Sequence, residues 1–403
     1  MIEIRTCRDL DELRRALSPI WQYFGSEPTE ETVGRFGKVL ELDRMHAAFD
    51  GERVVGGAGG FTFEMTVPGG VVPCAGTTLV GVDPTHRRQG ILTRMMRAHL
   101  DDAVERGDAI AALWASEPTI YGRFGYGLAS LTGEIELPRE RSAFMLAAER
   151  DGAARFVSTE EASALFPPVY DRVRLETPGM CSRSPAWWEN RVLLDPEARR
   201  GGGGPARRIV LERAGEPVAY AIYRHHPSFE YSSATGHVSV VEALGVDASA
   251  VAGIWRYLLD IDWIATVKAG LLPIDHPLIL LLGELSRMRF TLADGLWVRL
   301  LDVGRALSSR GYLGDGEVVL EVVDQFVPAN TGRWRVAGDA ASRTDAAADL
   351  GLDAAALGSV YLGGFSFAEL ARAGCVRELR EGALTAADAL FRTDRLPWCP
   401  EIF

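Results

Sequence analysis

The feature that restricts the fold of this chain most is a strand that passes into a helix through a basic, glycine-containing junction. Residues 77–82, "TTLVGV", have the apolar and β-branched composition of a buried strand. In the segment "ILTRMMRAHLDDAVERG" (91–107), Leu92, Met96, Leu100 and Val104 recur every four residues, which predicts a helix with one buried stripe. Between them, "THRRQGIL" (85–92) holds two arginines and a glycine. The pattern predicts a mixed α/β domain with a ligand site where the helix begins.

The chemistry of this junction favours an anion. The first turn of a helix presents unpaired backbone N–H groups and the positive end of the helix dipole, and phosphate binds there readily. Gly90 permits close backbone approach or a positive φ, and Arg87 and Arg88 add charge-assisted donors. The pattern therefore predicts a pyrophosphate cradle, although it is neither a P-loop nor a GxGxxG fingerprint. An exposed arginine pair at a surface turn is the alternative.

The rest of the chain also alternates between strand-like and helix-like segments. "IEIRTC" is strand-like, Asp9 and Glu12 suggest a capping box at the start of a helix, and residues 45–61 read as a hairpin turning on Asp50-Gly51. "AIAALWAS" (109–116) is a second buried strand. A second mixed unit follows between about 155 and 290, and a third begins at "GLWVRLLDV" (295–303). With 403 residues, two or three domains of α+β type are expected.

Composition excludes several classes of function. The formal net charge of −12 disfavours nucleic acid, which needs a basic face, and suits cationic substrates. The longest apolar stretch is too short to span a bilayer, and the N-terminus lacks the pattern of a secretion signal, so we expect a cytoplasmic protein without a membrane partner. The five cysteines form no paired or metal-like spacing. His225, His226, Glu230 and His237 also lack a zinc-site spacing, so we expect no metal.

Longer stretches resemble a known family. The order strand, R-R-x-G-x-L, helix, strand is similar to the acyl-CoA-binding core of the GNAT acetyltransferases, with Leu92 at a position that is usually small. Five segments resemble, more narrowly, the Eis (enhanced intracellular survival) family of aminoglycoside-type N-acetyltransferases, and together they cover nearly the whole chain. These segments are "VDPTHRRQGILTRMM", "AALWASEPTIYGRFGYG", "SRSPAWWENRVLLDPE", "DGLWVRLLDVGRALSSRGY" and "LGSVYLGGFSFAELARAG".

The resemblance implies an α+β architecture of two tandem GNAT-like domains followed by a domain similar to sterol carrier protein. We place the N-terminal GNAT domain with the acetyl-CoA site at 1–150 and the central GNAT-like domain at 151–293. The sterol-carrier-like domain, which would deliver the C-terminus, takes 294–403. The family's members are commonly hexamers, which implies a homo-oligomer here.

The resemblance also assigns roles to individual residues. Tyr121, the first tyrosine of "IYGRFGYG", matches the family's general acid, whereas Tyr126 does not. The α-carboxylate of Phe403 inherits the role of base, and the tail "RLPWCPEIF" is apolar enough to be docked. The residues implied in binding acetyl-CoA are Val80, Gly81, Val82, Arg87, Arg88, Gln89, Gly90, Ile91, Leu92, Thr93, Ser116 and Glu117.

The expected activity is acetyl transfer from acetyl-CoA directly to an amine of an aminoglycoside or a related polyamine, with antibiotic resistance as the implied role. No acyl-enzyme is expected, because none of the cysteines belongs to a recognisable nucleophile motif. As argued above, no metal is expected either. Two alternatives stay open at this point. One is an N-acetyltransferase of protein lysine or of small natural amines. The other is a non-catalytic regulatory protein that binds CoA or lipid.

Overall fold

The computed structural model of the chain describes residues 1–145, 152–314, 316–338 and 340–403. These residues form two compact units. The first unit contains Met1–Ser130, Leu296–Pro397 and Ile402–Phe403, and the second contains Leu131–Gly295 and Trp398–Glu401. The mixed helix and strand content confirms the predicted α+β class. The domain bounds at 150 and 293 stay a prediction, and residues 146–151, where the first bound falls, lie outside the described residues.

The N-terminal part of the first unit contains β1 Ile2–Thr6, α1 Leu10–Tyr23, α2 Glu30–Val39, β2 Met45–Asp50, β3 Arg53–Val67, β4 Gly70–Val82, α3 Ile91–Glu105, β5 Ile110–Trp114, α4 Pro118–Tyr121 and β6 Gly127–Leu128. The second unit contains β7 Leu131–Pro138, β8 Ala153–Phe156, α5 Thr159–Arg174, α6 Pro185–Trp187, β9 Arg207–Arg213, β10 Glu216–His226, β11 Phe229–Glu230, β12 Ser233–Ala234, β13 His237–Gly245, α7 Ala248–Leu259, β14 Thr266–Leu272, α8 Leu278–Leu281 and β15 Arg289–Asp294. The chain then returns to the first unit with β16 Leu296–Leu300, α9 Val303–Ser308, β17 Glu317–Val323, β18 Gly332–Ala337, β19 Ala340–Arg343, β20 Leu350–Asp353, α10 Ala354–Tyr361, α11 Phe367–Arg372, β21 Val376–Glu378 and α12 Ala383–Phe391.

Three larger sheets organise these elements. The first has the order β1-β2-β3-β4-β5-β16-β6, the second β15-β7-β14-β13-β10-β9-β8 and the third β19-β18-β17-β20-β21. The first and third belong to the first unit, and the second belongs to the second unit. The strand β16, within the segment "GLWVRLLDV" that was expected to open a third unit, lies in the first sheet, where it pairs antiparallel with both β5 and β6. No local pattern in the sequence could have indicated this long-range pairing.

Two local predictions need correction. At the start of α1 the Asp9 carboxylate accepts from the Glu12 amide as predicted, but the Glu12 carboxylate accepts from the amide of Arg8 and the guanidinium of Arg5. The capping box is therefore only half formed. The Arg5 and Arg8 hydrogen bonds hold the pKa of Glu12 well below its usual range.

The buried stripe of α3 also differs from the prediction. Met96 and Leu100 are fully buried, but Val104 is 45% exposed and Ala103 takes its place in the core. The reason is geometric, since four residues turn an α-helix by about 400°, and three such steps rotate the stripe by about 120°. Among the ranges that the structure describes, no helix has the length and apolar character needed to cross a membrane.

Candidate active site

The site begins where β4 and β5 separate. Their parallel pairing runs from Cys74 opposite Ile110 to Gly76 opposite Ala112, the last pair in the register. β4 continues for six residues to Val82, still paired with β3 on its other edge. The register between β3 and β4 shifts in this stretch, and Leu79 has a φ of 56°. The far half of β4 therefore diverges from β5 and leaves backbone groups on its β5-facing edge available to a ligand.

A cavity of about 580 Å³ opens at this divergence. Of the fourteen residues predicted from the sequence, twelve line it together, including Val80, Gly81 and Val82 on the strand and Tyr121 on α4. The two that it does not include, among the described residues, are Gln89 and Phe403. The other predicted lining residues are Arg87, Arg88, Gly90, Ile91, Leu92, Thr93, Ser116 and Glu117.

The entry to α3 has the backbone of an anion cradle. Gly90 caps the helix with a φ of 76° and no side-chain hydrogen bond, and a Cβ at this position would meet only open space. Arg88 also has a left-handed backbone, with a φ of 60°. The first helical hydrogen bond runs from Arg94 N to Gly90 O, so the amides of residues 91–93 point out of the helix without an intrahelical acceptor.

The cavity is locally basic although the chain is acidic. Among the described residues, Arg87, Arg88 and Arg123 line it together with one carboxylate, that of Glu117. Arg123 was missed by the sequence analysis, although it lies inside the quoted motif "IYGRFGYG". The Arg87 guanidinium lies 4.5 Å from the centre of the Tyr23 ring, so at least one of the two predicted phosphate arginines also has an aromatic partner.

Tyr121 also lines the cavity, and its side chain is buried. Burial raises the pKa of Tyr121 to about 12, and the negative charge of Glu117 adds to the increase. The hydroxyl therefore keeps its proton throughout the physiological pH range.

A buried polar chain lies behind Tyr121. The Tyr126 ring packs edge-on against the Tyr121 ring at 6.1 Å, and its hydroxyl lies 2.7 Å from Oγ1 of Thr77. The same Oγ1 lies 2.8 Å from Nε2 of His99. Burial lowers the pKa of His99 to about 3, so the neutral imidazole takes part in this series of hydrogen bonds. Tyr126 is thus a hydrogen-bond partner of the strand.

Phe403 lies beside Gly76 of β4, on the face of the sheet opposite to Thr77 and Tyr126. A Cβ added to Gly76 would lie 3.3 Å from the Phe403 ring, and that ring packs edge-on against Phe63 at 5.1 Å. Because successive strand residues point to opposite faces, Gly76 faces Phe403 while Thr77 faces Tyr126. The strand divergence is therefore flanked by the C-terminal residue on one face and by the two tyrosines on the other.

The tail is docked, as the sequence predicted. Trp398, Cys399 and Phe403 are buried, although Ile402 is 56% exposed. Glu401, within the second unit, accepts hydrogen bonds from Nε of Arg183 at 2.9 Å and from the Trp187 indole.

The histidines considered above as metal ligands have other partners in the described part of the chain. Within the described ranges, no three or more His, Cys, Asp or Glu side chains are grouped so as to hold a metal ion. His226 and His237 instead stack face to face at 4.2 Å, and Nε2 of His226 lies 2.9 Å from the Ser239 hydroxyl.

Comparison with known proteins supports one family across the chain. Two different family models described as "Acetyltransferase (GNAT) domain" match residues 3–129 and 179–300, and one described as "Sterol carrier protein domain" matches 303–400. An uncharacterized N-acetyltransferase of Streptomyces avermitilis is 42% identical over 372 residues, 91% of this chain and 90% of the relative. N-acetyltransferase Eis of Mycobacterium tuberculosis is 36% identical over 358 residues, 85% of this chain and 84% of the relative. The crystal structure of Eis1 from Mycobacterium abscessus superimposes with a TM-score of 0.87 at 35% identity and covers both chains fully.

Proposed function

This chain belongs to the Eis family of GNAT N-acetyltransferases, and from that premise we propose that it transfers the acetyl group of acetyl-CoA directly to amines of aminoglycosides or related polyamines. The observation that carries the proposal is the divergence of β4 from β5. This divergence opens into a basic cavity that is lined by the N-terminus of α3 and by Tyr121.

The residues around this cavity fit acetyl-CoA. The amides of residues 91–93, together with Arg87 and Arg88, would hold the pyrophosphate, and the free edge of Val80–Val82 would pair with the pantetheine arm. Ser116 and Glu117 would line the other side. When bound, acetyl-CoA supplies an electrophilic thioester carbonyl and a thiol leaving group.

Tyr121 would act at the sulfur. As the amine nitrogen bonds to the acetyl carbon and the carbon–sulfur bond breaks, the Tyr121 hydroxyl donates to the departing sulfur. With a pKa of about 12, against roughly 8.5 for a thiol, complete transfer of the proton is uphill by roughly 5 kcal/mol. Tyr121 is therefore best suited to stabilise the sulfur through a hydrogen bond while the bond breaks.

Phe403 would act on the amine. Its α-carboxylate accepts the proton that the attacking nitrogen loses, directly or through water, and its negative charge pairs with a cationic acceptor. Its ring lies on the face of β4 opposite Tyr126, which supports separate proton donor and acceptor on the two sides of the reacting carbon.

Direct transfer is favoured over an acyl-enzyme. Among the described residues that line the cavity there is no cysteine. Cys7, Cys74, Cys181 and Cys399 are buried, and burial raises the pKa of Cys7 to about 12, which removes its thiolate.

The acceptor class rests on charge and on the resemblance. A net charge of −12 would concentrate polycations near the protein. Protein lysines and small natural amines are the competing acceptors.

We further propose that the protein is a cytoplasmic homohexamer with a role in antibiotic resistance. Its proposed domain bounds are 1–150, 151–293 and 294–403. Light scattering of the purified protein would test the hexamer.

The test is release of CoA thiol from acetyl-CoA with a panel of aminoglycosides, polyamines and lysine peptides. The matched control is the same aminoglycoside with all its amines already acetylated, which keeps the sugar scaffold but removes the acceptors. We expect rapid release with the multi-amine compounds and none with the control. Release with lysine peptides alone would contradict the aminoglycoside acceptor and support acetylation of protein lysines. Tight CoA binding without release for any amine would support a non-catalytic binding protein.

A further inference from the structure

The segment from Tyr121 to Tyr126 is a compact turn that begins at the proposed acid. Gly125 N donates to Gly122 O at 2.9 Å, and Tyr126 N donates to Tyr121 O at 3.3 Å. At its far end the Tyr126 hydroxyl is held by Thr77. These contacts close the turn on itself, but they leave the carbonyl of Phe124 directed into the protein interior.

That carbonyl accepts a hydrogen bond from Arg299, a residue of β16 whose side chain is fully buried. Nη1 of Arg299 donates to Phe124 O, and Nη2 donates to Oδ2 of Asp324 at 2.6 Å. A guanidinium is a rigid planar fork, so it fixes both acceptors relative to each other.

Gly125 makes room for this contact. It has a φ of 81°, and a Cβ at this position would overlap Nη1 of Arg299. Phe124 also packs edge-on against Phe326 at 5.1 Å. The turn therefore packs closely against the Arg299 guanidinium and the Phe326 ring.

Asp324, which follows β17, holds Arg299 with a carboxylate that is itself fixed by several other hydrogen bonds. Its carboxylate accepts from the amides of Phe326 and Val327 at 3.0 and 2.8 Å and from Nδ2 of Asn330 at 3.1 Å. With Arg299 it has four donors and is only 2% exposed. The residue belongs to the segment that matches the sterol carrier protein domain, and both partners lie in the first unit.

The Arg299–Asp324 ion pair contributes little net stability to the core. Two buried charges lose hydration, and apolar residues of similar size often stabilise as well or better. Nε of Arg299 is moreover buried without a hydrogen-bond partner in the described part of the chain. What the ion pair provides, and apolar packing does not, is a directional contact to the Phe124 carbonyl.

We propose that the Arg299–Asp324 pair is a positioning device for Tyr121, through which the sterol-carrier-like part of the chain sets the site of proton donation. The inference rests on the proposed function, because it gives Tyr121 the role of acid. Neither residue touches the cavity, so both act through the turn.

A double-mutant cycle tests the device. Asp324→Asn removes the charge that holds Arg299, and Tyr121→Phe removes the group to be positioned. We expect Asp324→Asn to lower kcat about 10-fold in the wild-type background and less than 2-fold in the Tyr121→Phe background, with the KM and Kd for acetyl-CoA unchanged. A purely structural role would lower kcat by the same factor in both backgrounds.

Asp108→Asn is the matched control, because the Arg44–Asp108 pair is also buried in the first unit but does not contact the turn. Its kcat should stay within 2-fold of wild type. Arg299→Lys is the second variant, for use if Asp324→Asn fails to fold. It keeps the charge but lacks the fork, and we expect at least a 5-fold loss of kcat that again vanishes in the Tyr121→Phe background.

The possible failures are distinguishable. A wild type without turnover on any amine would overturn the proposed function and this inference together. A normal wild type with an undiminished kcat in Asp324→Asn or Arg299→Lys, or with equal losses in both backgrounds, would overturn this inference alone.

Discussion

At the scale of single residues, burial sets what Tyr121 can do. A desolvated phenol holds its proton tightly, so the acid form is always present, yet the same burial makes the phenolate costly. A nearby carboxylate, Glu117, acts in the same direction. The side chain is therefore suited to donate a hydrogen bond to a charge that develops on sulfur, and poorly suited to act as a base.

Tyr121→Phe should lower kcat about 100-fold, in the usual range for loss of a general acid, and leave the Kd for acetyl-CoA within 2-fold. Steady-state kinetics and calorimetry measure the two quantities. Tyr126→Phe is the matched control, since its hydroxyl bonds Thr77; its loss should lower the free energy of unfolding by about 1 kcal/mol and kcat by less than about 10-fold. Equal losses for the two variants would contradict the assignment of the acid.

The pH dependence of turnover follows from the same tyrosine. Its pKa is raised, so the proton needed for donation is present below the folded-state value and is lost only as the pH rises through about 12. The acceptor amine, in contrast, becomes reactive as it loses its proton. We expect kcat/KM to rise from pH 6 to about pH 9 without a descending limb below about pH 10. A decline near pH 8, with the protein still folded, would show that a different acid is in use.

At the scale of elements, the junction of β4 and α3 shows how far the sequence could lead. Apolar composition and helical periodicity predicted β4, α3 and the glycine cap, because these features are written in neighbouring residues. The divergence of β4 from β5 was not visible in the residues alone, since it depends on where a parallel pairing stops. The family resemblance supplied the site residues, and twelve of them line one cavity.

One contribution that sequence reasoning missed comes from a distant part of the chain, and another from within a recognised motif. β16 enters the first sheet from almost two hundred residues away, and it carries Arg299 into the core beside the turn of Tyr121. Arg123 lies two residues after Tyr121, but its direction toward the cavity depends on a short turn that propensity does not specify. A single arginine in an acidic chain gives no signal of its burial.

Arg88→Gly should separate stability from binding at this junction. A non-glycine residue with a φ of 60° costs about 1 kcal/mol, so glycine should leave the free energy of unfolding unchanged or raise it by up to about 1 kcal/mol. Loss of a charge-assisted donor should weaken acetyl-CoA binding by at least about 10-fold. Urea unfolding and calorimetry give the two values.

Arg94→Ala is the control, because Arg94 lies in the same helix but bonds the Ile2 carbonyl outside the cavity. Its Kd for acetyl-CoA should match wild type. If Arg88→Gly bound acetyl-CoA as tightly as wild type, the pyrophosphate would have to be held without this arginine.

At the scale of the whole molecule, each unit contains a buried neutral histidine that makes folding sensitive to acid. Burial lowers the pKa of His99 in the first unit and of His276 in the second to about 3. The unfolded chain therefore binds more protons than the native one once the pH falls below about 6.5, and stability is lost progressively from there toward pH 3. At pH 4.5 each histidine costs roughly 3 kcal/mol relative to neutral pH.

His276→Asn should flatten this dependence in the second unit. Nδ1 of His276 accepts from the Leu278 amide at 3.1 Å, and the asparagine oxygen can replace it as acceptor. Unfolding free energies at pH 7 and pH 4.5, measured by tryptophan fluorescence, to which Trp255 contributes at 5.0 Å from His276, should show a loss smaller by roughly 2–3 kcal/mol in the variant. An identical loss in both proteins would mean that other groups cause the acid sensitivity.

The C-terminus joins the end of the chain to the proposed chemistry, and its ring and its carboxylate can be tested separately. One glycine added after Phe403 keeps the ring against Phe63 but moves the carboxylate by about 3.8 Å. Phe403→Ala keeps a terminal carboxylate in the chain but loses the ring contact. We expect the added glycine to lower kcat more than about 100-fold with an unchanged Kd for acetyl-CoA, because a misplaced base is lost while the cavity is intact. Phe403→Ala should lose less activity and more stability, about 3 kcal/mol for a buried phenylalanine. If the extended chain turned over at the wild-type rate, the terminal carboxylate would have no part in the reaction, and the ring alone would explain why the tail is docked.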